Sequence, residues 1–191
     1  MTARLEAQIA FLREADKLKS VCRASRLIDD SRRENSAEHS WHVMLYALVL
    51  AEQAPPETRI DRVIRMLLLH DLVEVDAGDV PIHGRVDPKI AAREQAAADR
   101  LFGLLPADQA AEFRALWDEF ETGETSDAQF AKALDRFQPP IANLANGGDT
   151  WRDYNVTMAQ MDQRIGETVK RGAPGLWSWL RPQLQRFFSG R

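Results

Sequence analysis

The chain has 191 residues, 45% of them hydrophobic and 28% charged, and a net charge of −4. Those values suit one globular domain with a real core, and the mild acidic balance argues against a general nucleic-acid binder, which carries a basic excess. Cys22 is the single cysteine, which excludes an intrachain disulfide or a multi-cysteine metal site. The longest apolar stretch, Val43 to Ala51, is too short to span a bilayer.

The expected setting is the reducing cytoplasm, with no membrane partner, because the N-terminal residues carry scattered charges and no secretory apolar run. Helical periodicity runs through the chain and no segment alternates as a strand would. Leu5, Ile9, Leu12 and Leu18 outline a first amphipathic helix to about Val21. The polar stretch DDSRRENS (29–36) reads as a loop. Ser36 is the expected N-cap of a second helix to about Gln53, which Pro55 and Pro56 break. A third helix spans about 57–76 and stops at Gly78, with a loop over 78–84.

Asp87 followed by Pro88 opens a fourth helix to about Leu104, and Pro106 opens a fifth that ends near Gly123. Ser126 is the expected cap of a sixth, which Pro139 and Pro140 should bend or end before Gly147 and Gly148. Two more helices are expected over about 156–171 and 174–188. With no repeat, low-complexity tract or linker, the chain reads as a single all-α domain over 1–191. Its core is expected over about 20–150, with the C-terminal helices of 156–188 packed on it. Trp41, Trp117, Trp151, Trp177 and Trp179 read as core or interface anchors.

The second and third helices contain VMLYALVLA (43–51) and VIRMLLLHDLVEV (63–75), apolar nearly all round, which marks central, buried helices. Polar groups in such a setting are costly unless paired. The third helix nevertheless carries His70, Asp71 and Glu74. At 3.6 residues per turn the first two project roughly 100° apart and Glu74 falls between them one turn on. A divalent cation would neutralise Asp71 and accept the lone pair of His70, and mixed nitrogen and oxygen ligands suit Mn²⁺, Co²⁺, Ni²⁺ or Zn²⁺. His39, in AEHSW, and Asp135, in KALDRF, are the candidates to complete the shell from other helices. A lone His-Asp pair would read as a hydrogen-bonded core pair; two histidines with two aspartates read as a metal centre. His42 is expected to be structural, and His83 a surface loop residue with a substrate contact as the alternative.

RRENSAEHSW (32–41), HDLVEVDAGD (70–79) and KALD (132–135), together with LKSVCR (18–23), resemble the HD-domain superfamily of metal-dependent phosphohydrolases, and more narrowly its small 5′-deoxynucleotidases. The resemblance implies an HD-domain helical bundle with its metal site between the central helices. It implies one divalent metal ion (Mn, Co, Zn, Ni or Mg) on His39, His70, Asp71 and Asp135. Glu74 matches the catalytic carboxylate, Asp79 an acid near the sugar and Arg23 an arginine that meets the nucleotide, while Lys132 fits the pattern. Arg33 is a further candidate for neutralising phosphate. The implied activity is phosphate release from (deoxy)nucleoside 5′-monophosphates, in a homodimer with no nucleic-acid polymer as partner.

Two departures bear on this. Ser25, Arg26 and Leu27 stand where the family often has a tryptophan, which implies a shifted nucleotide preference. Val75 after Glu74 counts against a guanosine tetraphosphate hydrolase, and with only His83 between the doublet and Asp135 one metal is expected rather than two. The alternatives are hydrolysis of nucleoside triphosphates or another small phosphate ester, or a catalytically silent nucleotide- or metal-binding protein.

Overall fold

Phe130, Ala131, Leu134, Phe137 and Ala142 recur at helical spacing and are all buried on α7 (Ser126–Ala145), the 20-residue helix on which the rest is built. The computed structural model describes residues 2–84 and 87–190, apart from the side chain of Asp149. Before α7 come α1 (Thr2–Ala15), α2 (Ser36–Val49), α3 (Ile60–Leu69), α4 (Glu74–Ala77), α5 (Ile90–Phe102) and α6 (Ala107–Thr122). After it come α8 (Asp149–Asp153), α9 (Met158–Met161), α10 (Glu167–Gly172) and α11 (Pro174–Ser189). α7 packs against α2, α3, α6, α10 and α11. The expected helical architecture is therefore present.

α10 packs closely across α7 at Gly172. A Cβ on Gly172 would lie 2.0 Å from the Gln129 carbonyl oxygen and 2.9 Å from the Ala133 Cβ, so only glycine fits. Gly172→Ala is expected to destabilise the fold by about 1–3 kcal/mol or more, the usual cost of overpacking a rigid interface. A denaturant midpoint equal to that of the wild type would show that the two helices slide apart freely.

Several expectations are corrected. The polar stretch after the first helix contains a strand. Cys22–Arg26 (β1) and Arg33–Asn35 (β2) form an antiparallel hairpin, with an irregular register between Cys22 and Arg26. Its strands are too short and polar to alternate, and the turn signal is local: Asp30 adopts φ +60° and the Ser31 amide donates to Asp29 Oδ1. The cap of α2 is Asn35 rather than Ser36, in a capping box with Glu38. The cap of α7 is Thr125 rather than Ser126.

Pro139 and Pro140 do not end α7. They forgo the two backbone donors that would meet the carbonyls of Asp135 and Arg136, but the buried neighbours Phe137, Gln138 and Ala142 hold the helix together. The third helix is not continuous either. His70–Val73 tighten into a 3₁₀ turn between α3 and α4, and Gly78, at φ +75°, stops the run. The segment over 156–171 is interrupted by a π-helical turn at Asp162–Gly166, and α8 was not expected at all.

α2 is apolar all round but not buried all round. Val43 and Ala47 are fully buried, whereas Leu45, Leu48 and Val49 are exposed and Trp41 is 62% exposed. Apolarity on two faces calls for cover on both, and this chain covers only one. Trp117, Trp151 and Trp177 are core residues, while Trp179 stands 57% exposed beside that uncovered face.

Candidate metal centre and substrate cleft

Three elements carry the expected ligands to one point: α2 brings His39, the 3₁₀ turn brings His70 and Asp71, and α7 brings Asp135. Ligand atoms of His39, His70 and Asp135 lie within 4.8 Å of one another, and all three residues are buried. Asp71 stands beside them, its Oδ1 3.0 Å from His70 Nε2, while its Oδ2 accepts from Arg23 Nη1 at 2.9 Å.

The outer nitrogens set the orientation of both imidazoles. His70 Nδ1 is 2.7 Å from the Leu67 carbonyl oxygen, and His39 Nδ1 is 3.1 Å from Gln138 Oε1. Both partners are acceptors, because the Gln138 Nε2 faces Glu34 Oε1 at 3.4 Å. Each Nδ1 therefore holds a proton, and each ring turns its Nε2 inward, free to hold a proton or to ligate a cation. There His39 Nε2 meets Asp135 Oδ1 at 2.9 Å, and His70 Nε2 lies 3.7 Å from the same oxygen. His70 Nε2 is buried without an aligned hydrogen-bond partner, despite the two carboxylate oxygens near it. Two inward nitrogens and the carboxylate oxygens beside them need positive charge between them, as protons or as a metal ion.

The titration of the groups points the same way. Burial opposes a charged imidazolium at His70, yet Asp71 and Asp135 overcome it and push the ring up to about 9. His39 is raised too, against burial and Arg23, by Asp135 and Glu34. Asp135 is held well below the ordinary range; burial resists this, but Arg136 and the two histidines outweigh it. Without metal this centre takes up protons; a divalent ion satisfies the same field and displaces them. The donor set, two imidazoles and two carboxylates, fits a borderline divalent cation.

Around the centre the balance is anionic. Glu74, the first residue of α4, accepts from Ser36 Oγ at 2.5 Å. Burial first, then the charge of Asp71, push its carboxyl up to about 8. Burial also raises Asp79, which lies 3.8 Å from Arg23 Nη1. Arg23, on β1, is enclosed by Asp71, Asp79 and Glu34 and is held charged against burial mainly by Asp71. A cleft of about 270 Å³ opens onto this centre, lined here by Arg23, Asp71, Glu74, Asp79 and Lys132. Lys132 Nζ sits 4.6 Å over the Phe120 ring and 3.9 Å from Glu121.

Arg33 is not brought to the cleft. It is exposed and donates to the Ala24 carbonyl at 3.1 Å, bracing the hairpin. His42 stays outside as well, stacked on Trp41 with its Nδ1 3.2 Å from Gln138 Nε2. His83 does line the cleft. The sequence pointed to no site role for Glu34 or Gln138, and read Ser36 only as a helix cap. Gln138 carried a signal: it lies three residues after Asp135, on the same buried face. Glu34 carried none, since its strand was not foreseen, and nothing local tied Ser36 to Glu74.

Known proteins share this architecture. The family described as HD domain matches residues 15–177. The human 5′-deoxynucleotidase HDDC2 is 31% identical over 130 residues, 67% of this chain and 62% of that protein. The chain thus spans less than two thirds of the length of that curated relative. The 5′-deoxynucleotidase yfbR of Photorhabdus temperata is 26% identical over 166 residues, covering 81% of this chain and 82% of its own. A solved structure described as a predicted metal-dependent phosphohydrolase from Magnetospirillum magnetotacticum MS-1 superposes with a TM-score of 0.93 at 49% identity, over 97% of this chain and 93% of that one. A conserved hypothetical protein from Pyrococcus furiosus shares the fold at a TM-score of 0.63 and 20% identity, over 93% and 99% of the two chains. This chain belongs to the HD-domain family.

Proposed function

We propose that this protein is a metal-dependent phosphohydrolase that releases phosphate from (deoxy)nucleoside 5′-monophosphates. One observation carries the reading: two inward imidazole nitrogens and Asp135 converge on a buried point, beside a cleft that also holds Arg23 and Glu74. His39, His70, Asp71 and Asp135 hold one divalent ion, of the Mn, Co, Ni, Zn or Mg class. The chemistry such an ion supplies is Lewis acidity toward a water and a phosphoryl oxygen.

The chain's own groups do the rest. Arg23 is locked among carboxylates and cannot lose its charge, so it offers fixed N–H donors to a phosphate entering beside Asp71. Lys132 adds a positive charge at the rim. Glu74 keeps a proton near neutral pH and faces the cleft, poised to protonate the departing 5′-oxygen or to orient the attacking water. Asp79 is placed to accept from a sugar hydroxyl. Arg33 faces away and has no part in this reading.

Among the described residues no helix is long and apolar enough to cross a membrane. A cytoplasmic setting is supported by the exposed, unpaired thiol of Cys22. A homodimer is supported by the uncovered face of α2, where an apolar groove of about 580 Å³ runs between Leu45, Val49, Phe137 and Trp179.

The test is phosphate release from a panel of ribo- and deoxyribonucleoside 5′-monophosphates, after chelation and re-addition of Mn²⁺, Co²⁺ or Zn²⁺. Release is expected only with metal and fastest from deoxynucleotides. No release with any metal would overturn the reading in favour of another phosphate ester or a binding role.

A further inference from the structure

The cleft does not end at the metal centre. Lys132, Asp135, Arg136, Pro139, Pro140 and Asn143 all line it. Their spacing of three and four residues makes one stripe along α7. At 1.5 Å per residue the stripe carries the cleft about 12 Å from Asp135 to Asn143. That is a reach suited to an extended nucleotide held by its phosphate at the centre.

The far end is built and unsatisfied. Asn143 and Thr150 are both more than nine-tenths buried, and both line the cleft. Asn143 spends its Nδ2 on the Pro139 carbonyl, which leaves Oδ1 a buried acceptor with no partner. Thr150 Oγ1 and His83 Nδ1 are likewise buried, and among the described residues none of the three atoms has a partner. Burial and the nearby Arg164 and Arg136 hold the His83 ring down to about 4, so it is neutral. Three such polar atoms on residues that line one cavity cost stability unless something meets them. Two further features fix the geometry. The π-helical turn at Asp162–Gly166 brings Ile165 to the wall, and from the same turn Arg164 Nη1 donates to the Ile82 carbonyl at 2.6 Å, pinning the loop that carries His83.

We propose that this far end is a nucleobase-recognition site, in which Asn143 Oδ1 accepts an N–H from the base edge while Thr150 and His83 complete the hydrogen bonding. The chemistry selects the ligand class. An acceptor-only amide oxygen demands an N–H donor, and apolar Pro139, Pro140 and Ile165 line the same cavity. A planar ring with N–H groups on its edge fits both. The inference deepens the nucleotide phosphohydrolase reading and rests on it.

The experiment is calorimetric titration of the full chain with chelator present, so that nothing is hydrolysed. Deoxyadenosine 5′-monophosphate, its analogue lacking the amino group (purine 2′-deoxyriboside 5′-monophosphate) and deoxyribose 5-phosphate are compared. The adenine nucleotide is expected to bind at least about tenfold tighter than either of the others, the scale of one or two buried hydrogen bonds. Asn143→Ala would also remove the Nδ2 bond to the Pro139 carbonyl within α7, so Thr150→Val, which preserves shape, is the informative variant. It is expected to weaken the adenine nucleotide about three- to tenfold while leaving deoxyribose 5-phosphate affinity, Mn²⁺ affinity and melting temperature unchanged. Equal binding of all three ligands by the wild type, or unchanged nucleotide affinity in Thr150→Val, overturns the proposal. Base-dependent binding in a protein that never releases phosphate would instead overturn the phosphohydrolase reading and leave the base site standing.

Discussion

Asp135→Ala is expected to lower divalent-metal affinity by more than about 100-fold and to abolish metal-dependent turnover. Removing a group that only orients a metal ligand costs about 10–100-fold, and Asp135 stands closer to the centre than that. Its Oδ1 faces His39 Nε2 at 2.9 Å and His70 Nε2 at 3.7 Å. No other residue faces both imidazoles among the described contacts. The loss also shows in stability, because a cation held by α2, the 3₁₀ turn and α7 staples three elements that the metal-free protein joins only by packing. A ligand present at 100 times its dissociation constant adds about 2.7 kcal/mol to the native state. Thermal unfolding with and without Mn²⁺ is the check: the wild type should melt higher with metal, the variant at one temperature in both conditions. A full metal-dependent shift in Asp135→Ala would remove it from the ligand set.

Glu74→Gln is expected to cut kcat by about 10²–10⁴, the usual contribution of a positioned acid or base, while metal content stays at the wild-type level. Glutamine keeps the size and can still pair with Ser36 Oγ, but it cannot give up a proton to a leaving oxygen. Wild-type turnover with equal metal content would take Glu74 out of the chemistry. The same substitution has a signature in the metal-free protein. Folding raises this carboxyl from its ordinary 4.5 to about 8, so the native state binds the proton more tightly than the unfolded chain. Stability linked to Glu74 is therefore complete below about 4.5 and is lost as the pH rises toward 8. With chelator present, the wild type should lose more stability across that window than Glu74→Gln does.

What the sequence disclosed, and what it hid, follows from physical range. Long apolar repeats such as those of α6 and α7 announce themselves, because burial repeats every turn. His70, Asp71 and Asp135 were legible for the opposite reason: charge set among apolar neighbours needs a partner. The break of the third helix into a 3₁₀ turn at His70–Val73 left no mark in the residues, since HDLV is compatible with either helix. The hairpin was hidden because its order comes from its surroundings. The far end of the cleft was hidden too, since Asn143, Thr150 and His83 lie on three separate segments. Nor does an apolar helix state how many of its faces will be covered, which is why α2 was expected to be central and is half exposed.

The hairpin has one more consequence. A two-stranded sheet is marginal by itself, and this one has only five and three residues in its strands. What steadies it is charge: Arg23 reaches from β1 to Asp71, and Glu34 on β2 faces both Arg23 and His39. Fraying of those strands would therefore withdraw one cation and one anion from the centre together. The net charge there would stay constant while its fields were rearranged. The local order of the hairpin is thus tied to the ligand field, and the folding of the hairpin and the readiness of the centre become a single equilibrium.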